Sequence, residues 1–239
     1  MRLPNLCSLT AGLSLALLCF DAFADRPLAS DDASTADAGI CLVEVWAERA
    51  GAQGAQVLAP ECGVAPGLEI NAALTRLAAG QSPRSQTDLA LKWAPKAATF
   101  NTGLGDASLG LKLTGVWQRP GGASWQRSHT SLQGLLSWQA NPAWAVHANL
   151  GPLRDRASAL NATQLNLALV WTPIEQLLLF SEAQANDRRA VLGGTVYSAG
   201  ARWWLSADKL GLDFSASREA GAGGPTRWTL GLGWYGLGR

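Results

Sequence analysis

The feature that most constrains this chain is a two-residue rhythm. Over segments of about ten residues, apolar side chains recur at every second position and alternate with polar or small ones. Leu68, Ile70, Ala72 and Leu74 alternate with Glu69, Asn71 and Thr75. Leu89, Leu91 and Trp93 alternate with Gln86, Asp88 and Lys92. Ala107, Leu109, Leu111, Leu113 and Trp117 oppose Asp106, Ser108, Lys112 and Thr114, and Leu132, Leu136 and Trp138 oppose Ser131, Gln133, Ser137 and Gln139. Trp144, Val146, Ala148 and Leu150 oppose His147 and Asn149, and Leu165, Leu167, Leu169 and Trp171 oppose Gln164 and Asn166. The rhythm continues in 176–184, 197–205, 210–217 and 228–234, setting Glu182, Arg202 and Asp213 on the polar face. A helix would repeat its apolar positions at three and four residues, so these are strands with one wet and one apolar face. Cys41–Arg49 and Gln53–Ala59 flank a Gly51-Ala52 hairpin turn with weaker alternation. With them the count is twelve strands, and without them ten.

Composition decides what the apolar face meets. Only 15% of the 239 residues are charged and 48% are hydrophobic, with 26 Gly, 11 Trp and a net charge of +1. Soluble domains carry about 25% charged residues. The hydrophobicity excludes a disordered chain, and the neutral balance excludes a nucleic-acid binder.

The N-terminus reads as an export leader. Arg2 precedes the apolar stretch Leu9–Phe20, and Ala22-Phe23-Ala24 places small residues before Asp25. Residues 1–24 are therefore read as a signal peptide, and 25–40, rich in Ala, Asp and Ser, as a disordered tail. Beyond the leader no run reaches the 18 apolar residues of a membrane helix. An exported, charge-poor chain can then cross a bilayer only as a closed barrel. Residues 41–239 are predicted to form an all-β transmembrane antiparallel barrel of a Gram-negative outer membrane. Export leaves Cys41 and Cys62, which a disulfide would join across a loop of about 20 residues, worth roughly 3 kcal/mol in the chain-entropy model.

Connections set the orientation. Asn141-Pro142, Thr172-Pro173 and Ala207-Asp208 read as tight turns facing the periplasm, and the longer polar loops between them face outward. Pro95–Thr102 is a longer link on the turn side. Trp93, Trp138, Trp144, Trp171, Trp203 and Trp234 fall at the turn ends of strands, and Trp117, Tyr197 and Trp228 at the loop ends. Two aromatic girdles at headgroup level account for this, whereas buried tryptophans in a soluble β-sandwich do not. Arginines such as Arg119, Arg127, Arg154, Arg156, Arg188 and Arg189 gather in the loops, where outer-leaflet lipopolysaccharide would attract them and where plain solvation serves equally.

Candidate functional residues follow from the polar face. A pathway through the barrel would be lined by Glu69, Asp88, Lys92, Asp106, Lys112, Gln133, Ser137, His147, Asn149, Asn166, Glu182, Arg202 and Asp213. Both charge signs occur, which suits internal pairing as well as a lined pathway and fixes no ion selectivity. There is no phosphate-binding loop, zinc-ligand spacing or G-x-S-x-G turn, and no catalytic residue, cofactor or metal is assigned. Ser137 and His147 fall opposite each other if Ala140 pairs with Trp144. They would form an activated nucleophile with Glu182 or Asp106 as orienter, or simply fill a polar lumen.

Gly103-Leu104-Gly105-Asp106, opening the strand Ala107-Ser108-Leu109-Gly110-Leu111-Lys112, resembles the Gly-x-Gly-Asp strand of the outer-membrane "transporter" family named for the MetA pathway of phenol degradation. The resemblance extends loosely over Glu69 to Gly236. It implies an outer-membrane barrel passing small compounds, hydrophobic or aromatic ones included, and inserted by the barrel-assembly machinery. Such barrels end in an aromatic residue, whereas here Gly236-Leu237-Gly238-Arg239 follow Trp234 and Tyr235. The expected function is a channel for small solutes. An outer-membrane lipid hydrolase using Ser137 and His147, and a structural or surface-binding barrel, stand as alternatives.

Overall fold

The structure is a computed structural model, and it describes residues 28–78, 85–119, 123–221 and 224–238. The leader expected in 1–24 lies outside these residues. Thirteen strands follow in order: β1 (Cys41–Ala50), β2 (Gln53–Ala65), β3 (Leu68–Leu77), β4 (Ser85–Trp93), β5 (Thr99–Asn101), β6 (Asp106–Arg119), β7 (Gln126–Asn141), β8 (Trp144–Asp155), β9 (Asn161–Ile174), β10 (Leu177–Asn186), β11 (Val196–Ser206), β12 (Leu210–Glu219) and β13 (Arg227–Leu237). Consecutive strands pair antiparallel except β4 and β5, β1 pairs with β13, and β4 pairs with β6. Twelve strands thus close into a ring, and the three-residue β5 extends the pairing of β6 below the end of β4.

Closure answers the soluble-sandwich alternative. A ring has no sheet edge, so the wall's backbone groups can be paired between strands even in hydrocarbon. The outer face is apolar: Leu74, Leu113, Leu150, Leu167, Phe214 and Leu230 are all exposed there. Trp93, Trp144, Trp171, Trp203 and Trp234 are exposed on the same face at the turn ends, and Trp144 stacks on Trp171 with ring centroids 5.4 Å apart. Trp228 stacks on Phe214 near the loop ends at 5.6 Å.

Several boundaries and one pairing differ from the sequence expectation. β2 runs on to Ala65, past Pro60 and Gly63, which broke its pattern. β9 continues through Thr172-Pro173 to Ile174, so the turn there is Glu175-Gln176. The register with β10 shifts at this point, which places Pro173 where its missing N–H breaks no regular ladder. Asn141, not Ala140, pairs with Trp144, through an irregularity after Gln139, and Ser137 still pairs with His147. Cys41 and Cys62, opposite each other on β1 and β2, are joined in a disulfide.

The larger correction concerns residues 25–40. From Leu28 on, this segment forms no strand or helix, but it is not a free tail. It lies inside the barrel, with Leu28, Ser30, Asp32, Ala33 and Ala36 all buried. Its Ala, Asp and Ser content signalled a polar surrounding, and the polar lumen supplies one as water would. The chain enters at the turn end, where the Gly39 N–H donates to the Gly63 carbonyl and the Gly63 N–H donates to the Ile40 carbonyl.

The Gly-x-Gly-Asp segment has a structural cause. Gly103 and Gly105 both have positive φ in the turn between β5 and β6, and a Cβ on Gly105 would lie 2.3 Å from the Gln139 carbonyl oxygen of β7. Gly105→Ala is therefore expected to destabilise the barrel by about 1–3 kcal/mol, read as an earlier midpoint in urea unfolding from detergent micelles. An unchanged midpoint would refute this account of the motif.

Candidate functional site: the lumen

The inner face of the ring collects nearly all the residues that sequence patterning assigned to it. Glu69, Lys92, Gln133, His147, Asn149, Glu182, Arg202 and Asp213 are buried, and Asp88, Lys112, Ser137 and Asn166 are partly so. Asp106 is the exception. It is exposed at the first position of β6, at the rim, where it accepts a hydrogen bond from Asn101 Nδ2 of β5 at 2.9 Å. A strand's end residue keeps its face but not its burial.

Six of these side chains hold the inserted segment. Glu182 on β10 accepts the backbone N–H groups of Ala29 and Ser30 and the Ser30 hydroxyl. Asn149 on β8 grips Asp31 at both backbone groups: Oδ1 accepts its N–H and Nδ2 donates to its carbonyl, each at 2.7 Å. Ser137 Oγ on β7 accepts from Ala33 N at 2.8 Å, and Glu69 on β3 accepts from Ala36 N at 2.7 Å. Ion pairs join the side chains: Lys92 Nζ lies 2.9 Å from Asp32 and 3.9 Å from Asp31, Lys112 Nζ lies 2.7 Å from Asp31, and the exposed Lys96 lies 3.6 Å from Asp37. Leu28 packs in an apolar cluster with Ala145, Ala168, Val170 and Phe180. Buried backbone amides are costly unless bonded. An irregular segment bonds few of its own, so at Ala29, Ser30, Asp31, Ala33 and Ala36 the wall's carboxylates, amide and hydroxyl do it instead.

A second cluster lies within the wall itself. Arg202 on β11 donates to both oxygens of Asp213 on β12, from Nε at 2.6 Å and Nη2 at 2.8 Å, and to Glu44 on β1 at 2.9 Å. The Tyr235 hydroxyl also donates to Glu44, and the guanidinium lies 4.9 Å from the Tyr235 ring centroid and 5.2 Å from that of Trp204. Gly211 and Gly233 leave room for it: a Cβ would touch the Arg202 side chain at one and overlap the Tyr235 ring at the other. Bidentate, desolvated arginine pairs are strong and directional, so this cluster ties four strands together.

Glu44, Glu61 and Tyr235 were missed as lumen residues by sequence reasoning, as were Asp31 and Asp32, whereas Asn71 was placed on the polar face but left out of the pathway. Glu44 alternates with Val43 and Val45, and that parity was the signal available for it.

Ser137 and His147 do meet, Oγ to Nδ1, at 2.8 Å. The same Oγ receives the Ala33 N–H, and His147 is 2% exposed. The pair faces the lumen rather than lipid, and its visible partner is the plug.

Above the segment, toward the loops, two cavities remain. One of about 310 Å³ has Asp31, Lys112, Gln133 and Asn166 among its walls, and one of about 430 Å³ is bounded by Glu182, Gln184, Ser198 and Arg218.

No family model and no curated protein sequence matches the chain. Solved structures do. The NanC porin aligns with a TM-score of 0.60 at 8% identity, over 82% of this chain and all of its own. The KdgM porin in complex with disordered oligogalacturonate gives 0.58 at 10%, over 81% and 98%. An outer-membrane channel from Pseudomonas putida F1 gives 0.56 at 12%, over 85% and 98%. The fold is that of an outer-membrane β-barrel.

The contact between segment and wall depends on one missing side chain. A Cβ on Gly63 of β2 would lie 2.3 Å from the Ala36 carbonyl oxygen and 2.4 Å from that of Asp37. Gly63→Val is expected to leave the ring intact and expel the segment. A cysteine placed at the buried Ala33 would then react with a maleimide in the Gly63→Val barrel and resist it in the parent. Equal labelling of the two would contradict the packing described.

Proposed function

We propose that this chain is an outer-membrane channel for small solutes whose lumen is closed by its own N-terminal segment. The observation that carries the reading is what fills the lumen. A barrel serving only as a structural or surface-binding element can be filled by the side chains of its wall. Here the ring is wide enough to admit a separate stretch of chain, Leu28–Ile40, and the wall that meets it is polar and charged. Withdrawal of that stretch would leave a wet, polar-lined passage, and the cavities toward the loops already form its outer half.

The fold shared with porins and a channel supports the reading. Residence in the outer membrane is supported by the apolar outer face and its tryptophans, with loop arginines turned toward lipopolysaccharide. Placement in the phenol-degradation "transporter" family rests on Gly103–Asp106, and so does the expectation of hydrophobic or aromatic solutes. The lumen wall itself favours polar ones. We assign Ser137 to holding Ala33 and His147 to holding Ser137, rather than either to lipid hydrolysis, because the pair faces the lumen and the Ser137 hydroxyl is taken up by the segment.

The test is conductance in planar bilayers. The intact barrel is expected to be closed for most of the time. A barrel lacking residues 28–38, with Cys41 and its disulfide retained, is expected to show a steady conductance severalfold higher. Equal conductance from both barrels, or none from either, would overturn the proposal.

A further inference from the structure

The lipid-facing side of the ring is apolar over most of its height, and a break in that pattern points to a ligand. Near the loop end, the outward positions of β1, β2 and β3 carry Arg49, Gln56 and Arg76, all exposed. Strand pairing gathers them: Arg76 sits opposite Gln56, Gln56 sits opposite Ala47, and Arg49 follows two residues beyond Ala47. From strand spacing and rise, the Cα atoms of the two arginines are about 12 Å apart, so their long side chains can reach one ligand. No carboxylate shares the outward positions of β13, β1, β2 and β3. Glu48, next to Arg49, faces the lumen, where it accepts from Trp46 Nε1 and from Arg227. Among the described residues Arg76 has no hydrogen-bond or ion-pair partner, and Arg49 is held only at Nε, by the Gly51 carbonyl at 3.2 Å. A cation on the lipid face is tolerated near the interface, where it can extend to a headgroup.

Next to the arginines lies a groove of about 590 Å³. Its walls include Val45, Ala47, Leu58, Leu74 and Leu230, and Gln56 and Arg76 close its loop end. Ala47 makes the hollow: it stands between Leu230 of β13 and Gln56 of β2, a methyl group between two long side chains. A phosphate site at the end of an apolar groove is the shape of a lipid. We propose that this surface binds lipid A, the phosphorylated glycolipid of the outer leaflet, with a phosphate held by Arg49 and Arg76 and an acyl chain laid along Ala47. Guanidinium groups recognise phosphate through paired, charge-assisted hydrogen bonds. The lipid A phosphates are monoesters, which carry close to two charges each at neutral pH, as phosphorylated side chains do. The site rests on the loop end facing outward, as the longer connections there indicate, and it is independent of what the lumen passes.

The probe is hexa-acyl lipid A, titrated into the full barrel in detergent with EDTA present and read by native mass spectrometry. One lipid A is expected to remain bound per barrel. Arg49→Gln and Arg76→Gln are each expected to weaken it by about tenfold or more, the scale of one hydrogen bond to a charged group. Ala47→Phe fills the groove and is expected to weaken it as well, although both arginines remain. Arg154→Gln removes an exposed arginine of β8 that donates to Asn161, and is expected to change nothing. Phosphatidylglycerol, whose phosphate is a singly charged diester, is expected to bind more weakly than lipid A. Heat-dependent gel migration checks that each variant is folded. No lipid A binding, binding that ignores both site arginines, or an equal loss in Arg154→Gln would overturn the site. Phosphatidylglycerol bound as tightly as lipid A would overturn the choice of lipid.

Discussion

Hydrocarbon accepts no unpaired backbone N–H or C=O, and the rest of this structure depends on that constraint. It requires the strands to close, as β4 and β6 do. Closure then divides every strand into an outward and an inward face. The outer face is bounded by lipid and so is apolar, with tryptophans at its ends. The inner face is shielded from lipid, which is where this charge-poor chain can place Glu44, Glu69, Lys92, Lys112, Glu182, Arg202 and Asp213.

A ring of twelve strands also encloses more space than its own inward side chains fill. Two solutions appear side by side. Along β11, β12, β13 and β1 the wall fills itself, with Arg202 bridging Asp213 and Glu44 and with Tyr235 and Trp204 set around the guanidinium. Around β3, β4, β6, β7, β8 and β10 the wall instead binds a separate segment, through Glu69, Lys92, Lys112, Ser137, Asn149 and Glu182. The first arrangement is a fixed strut. The second joins the wall to a stretch of chain that is no part of the ring, and that stretch carries the functional reading.

The faces of the strands were legible in the sequence because a period of two leaves little choice. Once Leu89 and Leu91 face lipid, Asp88 and Lys92 must face the lumen. The opposition of Ser137 and His147 was legible for the same reason, despite the irregularity after Gln139. Asp106 was misplaced because parity gives direction but not depth. Pro173 was misread as a turn because a register shift can hold a proline inside a strand. The inserted segment was not legible at all. Its residues suit bulk water and a polar lumen equally, and its contacts are made to partners up to 153 positions away, with Ala29 reaching Glu182. Gly63 carried a trace of it: a glycine inside a strand marks a close backbone approach, here by Ala36 and Asp37.

The central claim is that Leu28–Ile40 is docked in the lumen through its own backbone, and amide hydrogen exchange by NMR in detergent micelles addresses it residue by residue. The account predicts slow exchange at Ser30, Asp31, Ala33 and Ala36, whose N–H groups are taken up by Glu182, Asn149, Ser137 and Glu69. Exchange at those four amides at the rate of a free peptide, within a barrel whose strands are protected, would contradict it.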